Sequence, residues 1–243
     1  MKDASYVGSG RVYLKELGAS TGYVDIGNCS QLNIAPQTDS QRLADYTQPG
    51  GGTANQFERL TSVNMTMSFH DFNAANLALA LRGGTTAVTA ATVTDEVVAV
   101  IPGTYSPTAK IPTAITSVTS ADGVTTFDVG DDYEIRSGGI YIPIGSAIVT
   151  GNVKVSYTHA AQKVVEAFIS AAKKYELLFE GLNEAQSGAP VRIQCYRVST
   201  GLLGQLAAIS TDYAAGEVSG ELLKDSTRTG AGLSQYLTVT VSE

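Results

Sequence analysis

The chain has 243 residues, enough to bury a sizeable core as one large or two modest domains. Only 16% of them are charged and 7% aromatic, and the net charge of -7 argues against generic attraction to nucleic-acid phosphate. Tryptophan is absent, and Ala, Val, Thr, Ser and 25 glycines favour strands and turns over long helices.

Tyr6–Leu17 is expected as a first strand, with Val12 and Leu14 on one face and Gly8 and Gly10 breaking its start. A turn over Gly18–Gly22 leads into a second alternation. There Val24, Ile26, Leu32 and Ile34 share one parity, and Asp25, Gln31 and Asn33 share the other. Pro36 has no amide hydrogen to give a ladder and should end it. Gln37–Gln56 is then expected as a long polar loop closing on Gln48-Pro49-Gly50-Gly51-Gly52-Thr53. Strands on both sides make it a hairpin tip reaching outward. Val63–Phe69 alternates without a break, setting Asn64, Thr66 and Ser68 on a polar face continuing to His70. The period then changes: Asn73 is placed to cap a helix, Leu77 and Leu81 fall four apart, and Gly83-Gly84 ends the run.

After Gly84 the spacing predicts six short strands: Val97–Ile101, Ile115–Val118, Thr125–Val129, Tyr133–Arg136, Ile140–Ile144 and Asn152–Thr158. Ser137-Gly138-Gly139 is expected as a hairpin turn in which positive φ is cheap for both glycines. This pattern predicts a small antiparallel sandwich, Ig-like in class, inserted as residues 85–160. The flanking stretches 1–84 and 161–243 are then two halves of one mainly β domain. Residues 163–172 fit a helical face and a strand equally well. Tyr175, Leu177 and Phe179 alternate with Lys174, Glu176 and Glu180. Strands at Val191–Ser199, Gln205–Ser210, Glu217–Asp225 and Gln235–Val241 follow, the last with Leu237, Val239 and Val241 inward.

Groups suited to catalysis are few. His70 beside Asp71 invites a Ser-His-Asp triad, but a histidine at a strand end is ordinarily satisfied by backbone or water. No HExxH and no CxxC occurs, and Cys29 and Cys195 are expected as buried free thiols of a reducing compartment. Gly8-Ser9-Gly10 and Gly50-Gly51-Gly52 lack the Gly-Lys-Ser/Thr ending of a phosphate loop. Gly130-Asp131-Asp132-Tyr133-Glu134 lacks EF-hand spacing and is expected as a solvated hairpin tip. With no apolar signal region and no run near the roughly 18 apolar residues of a membrane span, a soluble product of a cytoplasm is expected.

The order of parts resembles the tail tube proteins of long-tailed bacteriophages. The resemblance is carried by Gly8-Ser9-Gly10-Arg11-Val12-Tyr13-Leu14, Asp25-Ile26-Gly27-Asn28, the glycine-rich loop, the strand Val63–Phe69 and the helix Leu77–Gly83. It resumes with Phe179-Glu180-Gly181-Leu182-Asn183-Glu184, Gly188-Ala189-Pro190-Val191-Arg192 and Tyr196-Arg197, and so covers 1–83 and 163–243. It implies a tail-tube-type β-sandwich or barrel with a short flanking helix, joined into homohexameric rings that stack as the tail tube. Genomic DNA would pass through without specific binding, and residues 85–160 would sit on the outer tube surface. It also implies assembly in the host bacterial cytoplasm, a place in the virion tail, and no cofactor. The tape measure protein, tail terminator and distal tail or baseplate proteins would be partners.

Under that resemblance a strand polar on one face can line a water-filled lumen. Asp25, Gln31, Asn33, Asn64, Thr66 and Ser68 become candidate lumen-facing residues, with Glu176 and Glu180 joining them or facing a neighbour. Gln48, Pro49, Gly50, Gly51, Gly52 and Thr53 become the candidate inter-ring loop. A head-decoration or tail-fibre β module would share this composition but form trimers or monomers. A glycosidase using Glu176 and Glu180 is disfavoured because strand rise spreads them beyond the near end of the required carboxyl separation.

Overall fold

The computed structural model describes residues 4–47 and 49–242, and the chain is mainly β. Its first elements are β1 (Gly8–Glu16), β2 (Val24–Asp25), β3 (Cys29–Ala44), β4 (Thr53–Phe69) and α1 (Ala74–Ala80). Then come β5 (Gly84–Val88), β6 (Ala91–Val100), β7 (Tyr105–Pro107), β8 (Ala114–Ser120), β9 (Thr126–Phe127), β10 (Glu134–Arg136) and β11 (Gly139–Tyr141). The chain closes with β12 (Gly151–His159), β13 (Gln162–Glu166), β14 (Lys174–Asn183), β15 (Ala189–Leu203), β16 (Gly216–Leu222) and β17 (Leu237–Val241). The stretch up to Thr85 and that from Val165 onward form one compact unit, and Thr86–Val164 forms a second.

The larger unit is built on one antiparallel sheet in the order β2-β1-β14-β15-β16-β4-β3, with β17 added to β15. Val12 and Leu14 of β1, near one end of that order, share a core with Leu32 and Ile34 of β3 at the other. The sheet therefore bends over on itself. Val63, Met65, Met67 and Phe69 supply the β4 side of this core, and Leu177, Cys195, Val198, Val218 and Leu222 supply most of the rest. The alternation of Val63–Phe69 thus has its physical cause: odd positions face the core and even ones face away.

Several expectations are corrected. The first strand begins at Gly8, two residues later than expected, and Gly10 lies inside it, where a Cβ would come within 2.3 Å of the Glu180 carbonyl oxygen. That glycine permits the close approach of β14 and breaks nothing. The second alternation is interrupted at residues 26–28, so Val24 and Leu32 belong to different strands. Pro36 does not end β3. It sits opposite Val63 in an edge strand, and the flanking pairs Ala35–Asn64 and Gln37–Ser62 carry the ladder past it. Most of residues 37–56 is strand, and among the described residues only 45–47 and 49–52 lie outside β3 and β4. Gln205–Ser210 forms no strand, and 163–172 is strand to Glu166 and irregular beyond it. The helix is capped by the Asn73 side chain as expected, yet its buried residues are Asn76 and Ala80, not Leu77 and Leu81.

In the smaller unit a four-stranded sheet, β6-β12-β8-β9, and a three-stranded one, β10-β11-β7, enclose one core. Val98, Val100, Val118, Val153, Val155 and Tyr157 meet Tyr133, Ile140, Ile142 and Ile148 there. Strand β7 was not anticipated from sequence; it is three residues long and carries a proline. It also explains Gly139, whose absent Cβ would lie 2.3 Å from the Ser106 carbonyl oxygen. Gly138 has no positive φ, so the hairpin does not use both glycines as expected.

Candidate functional site: a polar sheet face and an exposed β arm

Residues directly opposite in antiparallel strands share a face. The register sets Gln31, Ser68 and Glu217 in one row, Asn33, Thr66 and Ser219 in the next, and Ala35, Asn64, Glu221 and Ser199 in a third. Their neighbours Leu32, Met67 and Val218 point the other way into the core. Gln31, Asn33, Asn64, Thr66 and Ser68, five of the six residues singled out from sequence, therefore lie on one continuous face. Asn33, Asn64, Glu217, Ser219 and Glu221 are exposed, while Ser68 is buried at its end. The three rows hold amides, hydroxyls and two carboxylates, and the third continues from Ser199 to the exposed Lys174 of β14. Glu217, Ser219 and Glu221 were missed in the sequence because their place beside β4 is a fact of sheet order.

Asp25 lies elsewhere, opposite Tyr13 on β2. Its Oδ1 accepts from the Gly27 N–H at 2.8 Å, and its Oδ2 meets the Arg11 guanidinium at 2.6 Å. The Gly27 amide first, and Arg11 after it, hold this carboxyl below its ordinary value against the opposing effect of burial. A depressed folded-state pKa gives stability that is complete above the ordinary carboxylate value, near about 4, and is lost as pH falls through the folded value. Asp25→Asn should flatten that part of a urea-midpoint profile between about pH 5 and pH 2. The effect should be small, because Arg11 is largely exposed.

Glu176 and Glu180 are also apart from the polar rows. Glu176 accepts from Lys15 Nζ at 3.1 Å and from the Tyr23 hydroxyl at 2.7 Å. Burial, then Glu176 itself, pushes the Tyr23 hydroxyl up to about 12. Glu180 stands opposite Arg11 and Arg192.

Beyond Val63 the β3–β4 pair leaves the body of the sheet as a ribbon. Every residue of Gln37–Ala44 and Thr53–Thr61 is exposed, and β16 pairs with β4 only from Asn64 onward. At the tip the Asp45 N–H donates to the Gly52 carbonyl at 2.8 Å, and the Asp45 carboxylate accepts from the Thr47 N–H and hydroxyl. Gly50 and Gly51 take φ of 109° and 69°, so the turn needs glycine there. Pro49, Gly50, Gly51 and Gly52 thus occupy the tip and Thr53 begins β4, while Gln48 lies outside the described residues.

The chemistry weighed from sequence is dispersed. His70 Nδ1 lies 3.0 Å from the Ala214 carbonyl oxygen, whereas Asp71 accepts from the Asn28 N–H. Asp132 accepts from the backbone of Asp128 and Ala147. Both cysteines are free thiols, and burial raises them, Cys29 to about 11 and Cys195 to about 12. Among the described residues no group of three or more His, Cys, Asp or Glu could hold a metal ion, and no helix is long and apolar enough to cross a membrane. A cleft of about 260 Å³ in the larger unit is lined by Leu14, Val24, Ile26 and Leu79, with Arg82 and Lys173 beside them.

Residues 5–240 match the profile of the family described as "Protein of unknown function UCP028589". The chain belongs to that family. No curated protein matches the sequence.

Proposed function

We propose that this protein is a structural component of a bacteriophage tail, polymerising through its larger unit into stacked hexameric rings that form the tail tube. The observation that carries this reading is the continuous polar face of Gln31, Asn33, Asn64, Thr66, Ser68, Glu217, Ser219 and Glu221, backed directly by the core. Such a face suits the wall of a water-filled bore, and its two carboxylates, against the single Lys174 at the end of the third row, would keep passing DNA from adhering. The open ends of the sheet order at β2 and β3 fit the same reading, since joining sheets between subunits removes exposed edges. The larger unit is then the tail-tube-type sandwich or barrel, with α1 as its flanking helix. The smaller unit is an inserted Ig-like sandwich on the outer surface. Asp25 drops out of the lumen set, because its carboxylate is engaged by Gly27 and Arg11.

The β3–β4 arm is the ring-to-ring contact in this reading, and head-to-tail repetition of such contacts builds filaments. Negative-stain microscopy of the purified protein should show six-fold rings or hollow tubes. Deleting residues 48–53 should leave folded chains with an unchanged circular-dichroism spectrum that no longer stack. Solid particles or monomers from the parent would refute the tube, and normal tubes from the deletion would refute the role of the tip.

A further inference from the structure

Among the described residues, β17 is the only edge strand of the larger sheet without a charge or a proline: β2 carries Asp25, and β3 carries Pro36, Asp39 and Arg42. Exposed strand edges are normally blunted by such residues, and one left smooth is built to be paired. The direction of its free amides follows from two hydrogen bonds. The Ser242 N–H donates to the Pro190 carbonyl and the Tyr196 N–H to the Tyr236 carbonyl, both at 3.1 Å. In an antiparallel ladder every second residue bonds inward, so Thr238 and Thr240 are tied to β15 and the amides of Val239 and Val241 point to the open side. Val239 and Val241 also stand on the core side, opposite Ile193 and Val191, and yet are 52% and 56% exposed. Expected from sequence to be inward, they face inward without a cover.

The β3–β4 arm has the matching deficit. A two-stranded ribbon is marginal by itself in water. This one has an unpaired inner edge along Thr53–Thr61 and leaves Leu43 and Phe57 each 59% exposed.

We propose that the arm of a second copy extends the sheet at β17, its Thr53–Thr61 stretch adding as a strand beside Leu237–Val241. The proposal rests on the self-assembly read above and names the surface that receives the arm. Alternation fixes which way the added strand faces. With Phe57 over Val239 and Val241, Glu58 falls on the opposite face, beside Thr240 and within reach of Arg192 in the next strand. The reverse parity would press Glu58 onto the valines and leave its carboxylate without a partner.

Val239→Pro tests the receiving edge in the full chain, because the lost amide makes no bond to β15 and edge strands tolerate proline there. It should preserve the circular-dichroism spectrum and melting temperature while abolishing particles in the microscope. Glu58→Arg should raise the concentration needed for assembly about tenfold or more, and adding Arg192→Glu should restore it. This charge exchange leaves the backbone untouched, so it decides the matter if Val239→Pro misfolds. Parent-like assembly by Val239→Pro, or an unrescued or harmless Glu58→Arg, would overturn the pairing and leave a hollow-tube parent standing. Particles without a bore that still obey the charge exchange would uphold the pairing and refute the tube.

Discussion

Met67→Ala is expected to lower the free energy of unfolding by about 2–5 kcal/mol, whereas Leu60→Ala on the same strand should change it by less than about 0.5 kcal/mol. Met67 is fully buried, flanked across the sheet by Leu32 and Val218. Truncating it removes apolar burial and leaves a cavity that the surrounding strands close only in part. Leu60 stands opposite Thr38 on the arm and is exposed, so its truncation removes few contacts in the free chain. Urea unfolding of dissociated protein, followed by circular dichroism, would measure both. Equal losses would mean that the arm packs against its own chain, and the docking of that arm on β17 would lose its motive.

This contrast within one strand also shows what was legible in the sequence. Residues Val63–Phe69 were readable because one face is buried, and burial is what writes a period of two. Thr53–Thr61 and Gln37–Ala44 continue the same strands with both faces wet, so no period is written and they resemble a polar loop. Pro36 misled for a related reason: whether a strand can hold proline depends on its being an edge, and edges are assigned by partners distant in sequence. Five members of the polar face were visible by parity, but Glu217 and Glu221 could be joined to them only once β16 was known to lie against β4. Leu237 packs against the core as its parity implies, whereas Val239 and Val241 carried a correct parity and an incorrect consequence, since facing the core side of a sheet does not supply a cover. The Asn73 cap was readable because it is a local bond, from its side chain to the Asn76 amide.

The side chain of Asn76 was not readable, and Asn76→Leu is expected to cost about 2–4 kcal/mol, against roughly 1 kcal/mol for Asn73→Ala. Asn76 is buried, and its Nδ2 donates to the carbonyl oxygens of Ile26 at 2.8 Å and Asp71 at 2.7 Å. Leucine fills similar space but leaves both carbonyls without that donor, and a buried acceptor stripped of its partner costs more than an ordinary hydrogen bond contributes. The asparagine does more than hold one helix. Ile26 begins the link from β2 to β3, and that link is held again by Asp71, which accepts from the Asn28 N–H at 3.0 Å. Helix, link and the first residues of β3 are thus fastened at one point, which fixes where Gln31 and Asn33 enter the polar face. Thermal or urea unfolding of Asn76→Leu beside Asn73→Ala would test the difference. Should the two lose the same amount, the link would be held by its strand pairing alone, and α1 would be a passenger on the sheet.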